Sequence, residues 1–343
     1  MSPSALVART YTLVYGLAVM GLFDVASRGL ASALLAGVAC FGVAGCAERY
    51  VMIQTGIFPS PMLFEDALSW TREAADTVQS MHDFEQARDS AYGSIGMLEG
   101  LHKLVPDDPD GLLLLEKAWS GISFAFMDDE REDALDHKDE QLAAYEEARA
   151  RAGFKRARFF GDELVGLHTT GFKEAQRNHD TLSAWLKDNY TDKDQAEELL
   201  WLAFSIVGRI AFDMDNPETV STLWIGIDLA EQSARLDENL DYGSAHIMIG
   251  AADAGLHDYT AAKQHFDRAT ELSGGRALTN QVTMAVRYYC PKSDKTNYFK
   301  ALNEVLDAGD VLPDQRLSNT LAKRRARRYL SNKYWQEDCA FSG

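Results

Sequence analysis

The sequence predicts an all-α fold, a solenoid of helical hairpins with essentially no β-sheet. Three observations carry that expectation. From Met62 onward, apolar residues recur at i, i+3, i+4 and i+7 in segment after segment. The period-two alternation of β-branched residues that marks a half-buried strand is missing. Only 8 of 343 residues are Pro and 25 are Gly, too few for a turn-dense all-β chain. With 46% hydrophobic and 25% charged residues, the chain has the composition of a folded globular protein rather than a disordered one.

The helical spacing runs through Leu112–Phe126, Leu142–Ala150, Ala196–Phe212, Val220–Leu236, Ala245–Leu256 and Tyr259–Leu272. The breaks between them are Pro106-Asp107-Asp108-Pro109, Asp215-Asn216-Pro217, Ser273-Gly274-Gly275 and Pro313-Asp314. Each break stops one helix and supplies a short polar side chain able to cap the next. The clearest hairpin is Ala245–Gly275. Gly250 sits 12 residues before Ala262, and Phe266 and Ala269 follow Ala262 at +4 and +7. This pattern resembles the second half of a tetratricopeptide repeat. Small residues at Gly250, Ala262 and Ala269 let two antiparallel helices approach, and Phe266 fills the gap between them. Looser copies lie at Tyr145–Ala148 and at Ala230–Asp237. Each hairpin buries one face against its neighbours, so residues 62–343 are expected to form a single helical-repeat domain. A generic all-α bundle is the competing reading.

The N-terminal 45 residues differ in kind. They contain three charges, Arg9, Asp24 and Arg28. The apolar run Leu30–Ala44 follows Arg28 and leads into Val43-Ala44-Gly45-Cys46. A cation, an apolar run and small residues before a cleavage point describe a secretory signal. The Val-Ala-Gly-Cys ending resembles a bacterial lipobox, in which the Cys thiol receives diacylglycerol and the chain is cut just before it. A transmembrane anchor is the alternative, but Asp24 and Arg28 interrupt the stretch, and neither run reaches the ~20 residues that a span needs. Residues 1–45 are thus read as a leader, Cys46 as the lipid attachment point and 46–61 as a tether containing Gly56, Pro59 and Pro61. A start at Met20 would shorten the leader to 26 residues, a more usual length. By resemblance to lipoprotein sorting, Ala47 after Cys46 favours the periplasmic side of the outer membrane.

The chain has 34 Lys plus Arg and 52 Asp plus Glu, a net charge of −18. Without the leader the balance is 32 − 51 = −19. An acidic surface opposes binding to phosphate backbones, so no nucleic-acid partner is expected. Of the four cysteines, Cys40 leaves with the leader and Cys46 is lipidated. Cys290 and Cys339 remain, in an oxidising compartment, either as a disulfide or as two buried thiols.

Catalytic and metal motifs are wanting. No HExxH, P-loop, GxGxxG after a strand or GxSxG elbow occurs. His246 and His257 lie three helical turns apart and could share a face, but helix-surface or turn histidines are the commoner reading. Asp213-Met214-Asp215 begins like a calcium loop, then places Glu218 where the required Gly should be. The chain is therefore expected to be a non-enzyme without cofactor or metal. Two other groups merit attention. Lys323, Arg324, Arg325, Arg327 and Arg328 form a basic cluster in an acidic chain. It reads either as a solvated face that balances nearby acids or as a docking patch for an acidic partner. Trp119, Trp201, Phe204 and Trp224 are either core or the wall of an apolar ligand channel.

The C-terminal half carries a further ordered series. It runs from Leu199-Leu200-Trp201-Leu202-Ala203-Phe204 and Gly208 through Leu229–Asp237, Tyr242–His246 and Gly250. It continues through His265–Ala269, Glu271–Gly275, Phe299–Leu302 and Val305-Leu306, and ends at Leu317–Ala322, Arg324–Arg327 and Leu330. This order is similar to the T-component lipoproteins associated with TRAP transporters, over roughly Asp66 to Leu330. The resemblance implies a lipid-anchored periplasmic protein that assembles with itself, often as a trimer, and docks the solute-binding component of a TRAP-type uptake system. It also implies a channel for an apolar or amphiphilic ligand. The alternative is a general outer-membrane scaffold for envelope assembly that works through tetratricopeptide-like protein contacts.

Overall fold

A computed structural model describes residues 77–331 together with 336, 337, 339 and 341. The leader, Cys46 and the tether lie outside the described residues. Those described contain helices and turns and no strand. They all belong to one compact unit.

Twelve helices of more than one turn organise the described chain. In order they are α1 (Phe84–Leu104), α2 (Pro109–Ile122), α3 (Asp128–Asp136), α4 (Glu140–His168), α5 (His179–Asn189) and α6 (Ala196–Ala211). Then follow α7 (Leu223–Leu236), α8 (Ser244–Gly255), α9 (Tyr259–Ser273), α10 (Leu278–Met284), α11 (Lys295–Asp307) and α12 (Arg316–Ser331). Two π-helical turns, Ser123–Met127 after α2 and Ala285–Tyr289 after α10, widen the helix locally.

Caps explain the starts and part of the acidity. Asp83, Asp108, Asp139, Asp258 and Asp294 each accept a hydrogen bond from a backbone N–H in the first turn of the helix that they open. Asn178 and Thr181 form a reciprocal box at the start of α5. A negative side chain there also meets the positive end of the helix dipole. These five carboxylates therefore serve local structure.

The helices pack largely in sequence: α1 on α2, α2 on α4, α4 on α6, α6 on α7, α7 on α8 and α8 on α9. The α8–α9 hairpin closes as its small residues require. Ala262, Phe266 and Ala269 are fully buried. A Cβ at Gly250 would lie 3.2 Å from the Ala262 carbonyl oxygen and 3.3 Å from the Phe266 ring, tighter than side chains normally pack. The stack does not simply run on. In an open solenoid each repeat touches only its neighbours, whereas here α12 packs on α11 and α10 and also returns to α1. Cys290 and Cys339 are joined by a disulfide across 49 positions, inside the core made by α10, α11 and α12.

Candidate functional site

Aromatic side chains form a seam where α2, α4 and α6 meet. Trp201 and Phe204, one helical turn apart on α6, touch edge to face with centroids 5.7 Å apart. Phe204 then meets Phe124 of the first π-turn at 5.5 Å and the fully buried Phe154 of α4 at 5.8 Å. Phe154 stacks on Phe212 at 5.9 Å. Gly208 makes room for the seam, since a Cβ there would overlap the Phe154 ring at 2.3 Å. The two other tryptophans read from the sequence sit elsewhere. The Trp119 indole donates to Glu99 Oε1 at 2.9 Å, and Arg156 holds the same carboxylate with two bonds. Trp224 packs against a different cluster, around Leu199, Leu229 and Ile249. The sequence reading missed Phe124, Phe154 and Phe212, which lie on three separate elements.

Beside this seam lies an acidic core. Glu116 on α2 is fully buried, and neither of its carboxyl oxygens has a hydrogen-bond partner. Burial pushes its pKa well above the ordinary carboxylate range, and the nearby charges of Glu198 and Asp162 push the same way. Glu198 on α6 is also buried and raised by burial, although Tyr190 and His168 oppose the rise. The Tyr190 hydroxyl donates to Glu198 Oε1 at 2.5 Å. Gly161 on α4 is what admits the Glu116 carboxyl, whose Oε1 fills the place a Cβ would take. Glu116 is thus a neutral acid held among apolar groups. Its signal was present in the sequence as one Glu following four leucines, Leu112 to Leu115.

The basic cluster faces inward. Arg325 and Arg328 on α12 are buried against α3. Arg325 Nη2 donates to Asp128 Oδ2 at 2.7 Å and to the Phe124 carbonyl at 3.0 Å, and its guanidinium lies over the Phe124 ring. Arg328 reaches Asp129 at 3.0 Å, Glu132 at 2.7 Å and Asp136 at 3.1 Å. Tyr329 donates to the other oxygen of Glu132 at 2.7 Å. Arg324 pairs with Asp129 at 2.9 Å and covers the Phe84 ring. Lys323 donates to the carbonyls of Ala308 and Gly309. Burial alone would lower the Arg325 basicity, but Glu132 and Asp128 outweigh it and the net shift is upward. Within the cluster, Arg327 is the exposed member. The docking surface read from the sequence therefore has most of its charge spent inside the molecule. Leu321, Ala322, Ala326 and Tyr329 on the same helix are buried.

The histidines regroup as well. His257 does not share a face with His246, because α8 ends at Gly255 and His257 turns with φ 64° in the exposed connection. The antiparallel return brings His265 to His246 instead, with Nδ1 to Nδ1 at 2.8 Å. Burial is the main cause lowering the His246 basicity, and Glu238 opposes it. Arg268 holds the Glu238 carboxyl down at about 2, so it remains ionised.

Taken together, the described residues form an all-α protein whose core holds an aromatic seam, a buried acid and inward-facing ion pairs. Among the described residues no helix is long and apolar enough to cross a membrane. The chain matches the TRAP transporter T-component family over residues 80–335, more than half of its length, and it belongs to that family. No curated protein matches it. The family is a component of TRAP transporters, a non-enzymatic role, and points to association with such a transporter.

Proposed function

We propose that this chain is the lipid-anchored docking component of a TRAP-type uptake system. It sits on the periplasmic side of the outer membrane, receives the solute-binding protein and handles an apolar or amphiphilic ligand. The observation that carries this reading is the family match over residues 80–335. The lipobox-like Val43–Cys46 supports the anchor. The Trp201–Phe204–Phe124–Phe154 seam supports the ligand, because large rigid rings with few polar contacts suit an apolar guest. Self-association, as a trimer by resemblance, would multiply the docking surface.

Capture of the chain from detergent-solubilised envelope, followed by mass spectrometry of proteins and extracted small molecules, tests the proposal. The expected result is co-recovery of a TRAP-type solute-binding protein. Recovery of an envelope-assembly subunit without a solute-binding protein would overturn it in favour of the scaffold reading. The anchor is tested separately. Cys46→Ser should move the chain from the membrane to the soluble fraction, and unchanged membrane retention would contradict lipidation at Cys46.

A further inference from the structure

The hairpin α8–α9 is closed on one side by a hydrogen bond between two imidazoles. Nδ1 of His246 and Nδ1 of His265 are 2.8 Å apart, with ring centroids at 5.1 Å. Such a bond needs one nitrogen with a proton and one with a lone pair. The neighbours decide which is which. His246 Nε2 lies 3.1 Å from Glu238 Oε1. Arg268 keeps Glu238 ionised, so this carboxylate only accepts, and His246 Nε2 is the donor. A neutral imidazole has one N–H, so His246 Nδ1 is left with the lone pair and His265 Nδ1 donates to it. His265 can then gain a second proton at Nε2 without disturbing the bond. His246 cannot, because a proton on its Nδ1 sets two N–H groups against each other.

We propose that this bond is an acid-released latch, in which protonation of His246 at Nδ1 parts α9 from α8. Both rings line one open groove of about 280 Å³, so protons reach the pair from solvent. The charges around His246 come from three helices. α7 contributes Glu231, Arg235 and Glu238, α9 contributes His265 and Arg268, and α8 itself contributes Asp253. Asp241, in the turn before α8, is engaged with Ser244 and Gln315 instead. Burial is the main effect that disfavours a charged His246, and His265 and Arg268 add to it. Glu238 opposes them, and the net shift is downward from the ordinary 6.5. An unfolded His246 therefore takes its proton before the folded one does. The latch is intact at neutral pH, and its contribution is lost as pH falls below about 6.5. The bond sits where the helices come close. A Cβ at Gly250, one turn on from His246, would lie 3.2 Å from both the Ala262 carbonyl oxygen and the His265 Cβ.

The test is hydrogen exchange of the α8–α9 backbone amides in the untagged full chain in detergent, corrected for the intrinsic effect of pH on exchange. Nitrogen magnetic resonance of labelled histidines reads the tautomers alongside. The expected wild-type result is a His246 with its proton on Nε2 at neutral pH. Hairpin exchange should become about fivefold faster as His246 gains its second proton between about pH 6.5 and about pH 4.5. His246→Asn puts an oxygen acceptor in the place of Nδ1 and does not titrate, so it should keep the neutral-pH protection and lose the acid response. His257→Asn on the exposed turn should behave as wild type. A neutral-pH proton on His246 Nδ1, or wild-type protection that stays flat down to about pH 4.5, would overturn the proposal without recourse to any variant. So would an undiminished acid response in His246→Asn whose circular dichroism at neutral pH matches wild type.

Discussion

Two regions of this protein bury carboxylates, and they do so in opposite ways. Where α3 meets α12, Asp128, Asp129 and Glu132 are buried opposite Arg325 and Arg328, and each carboxylate has a guanidinium within 3.0 Å. Where α2 meets α4 and α6, Glu116 is buried with no partner and Glu198 has Tyr190 as its close donor. In the first region burial also pushes the Glu132 pKa up, but Arg325, Arg328 and the Tyr329 hydroxyl oppose the rise. The second sheds charge, and Glu116 holds a proton. Buried carboxylates thus fasten α12 to α3 in one place and, at Glu116, stand without a partner in another.

The largest effect expected from this contrast comes from breaking the paired region. Arg328→Met would remove one guanidinium partner from each of Asp129, Glu132 and Asp136, and should destabilise the fold by about 3–5 kcal/mol in denaturant unfolding. A loss below about 1 kcal/mol would mean that the pairs are not buried as described. The opposite sign is expected in the unpaired region. Glu116→Met removes a desolvated acid at similar volume and should stabilise by about 1–3 kcal/mol at neutral pH.

The pH dependence follows from the direction of the shift. The Glu116 pKa is raised in the folded state above its ordinary value of 4.5. The folded chain then binds more protons than the unfolded one between those two values. The contribution is most favourable below about pH 4.5 and is lost as pH rises toward the folded value, at about 1.4 kcal/mol per unit. Glu116→Met should flatten that slope, and an unchanged slope in the variant would assign it to other groups. The smallest effect is expected at Arg327, exposed beside the clamp. Arg327→Ala should shift stability by less than about 0.5 kcal/mol.

Helices were the legible part of the sequence. Periods such as Ala196–Phe212 and caps such as Asp108 before Pro109 are local signals, and they reappear in α6 and at the start of α2. The α8–α9 hairpin was legible too, because small residues at fixed spacing state how close two helices can come. What could not be read was which distant segments meet. The acidic run Asp128–Asp136 and the basic run Lys323–Arg328 were both visible, but nearly 200 positions separate Arg325 from Asp128, and no local rule pairs them. The histidine pairing failed for a related reason. Counting turns from His246 to His257 assumes one unbroken helix, whereas α8 ends at Gly255 and the antiparallel return of α9 brings His265 to His246. The aromatic seam needed Phe124 and Phe154 from other elements, so Trp201 and Phe204 alone did not define it.

The proposed function is recognition between two proteins, and equilibrium binding addresses it most directly. The purified chain should form a saturable complex with the solute-binding protein of the TRAP system from the same cell, weakening as salt rises if charge guides the encounter. No association between the two folded proteins at any accessible concentration would contradict the docking role.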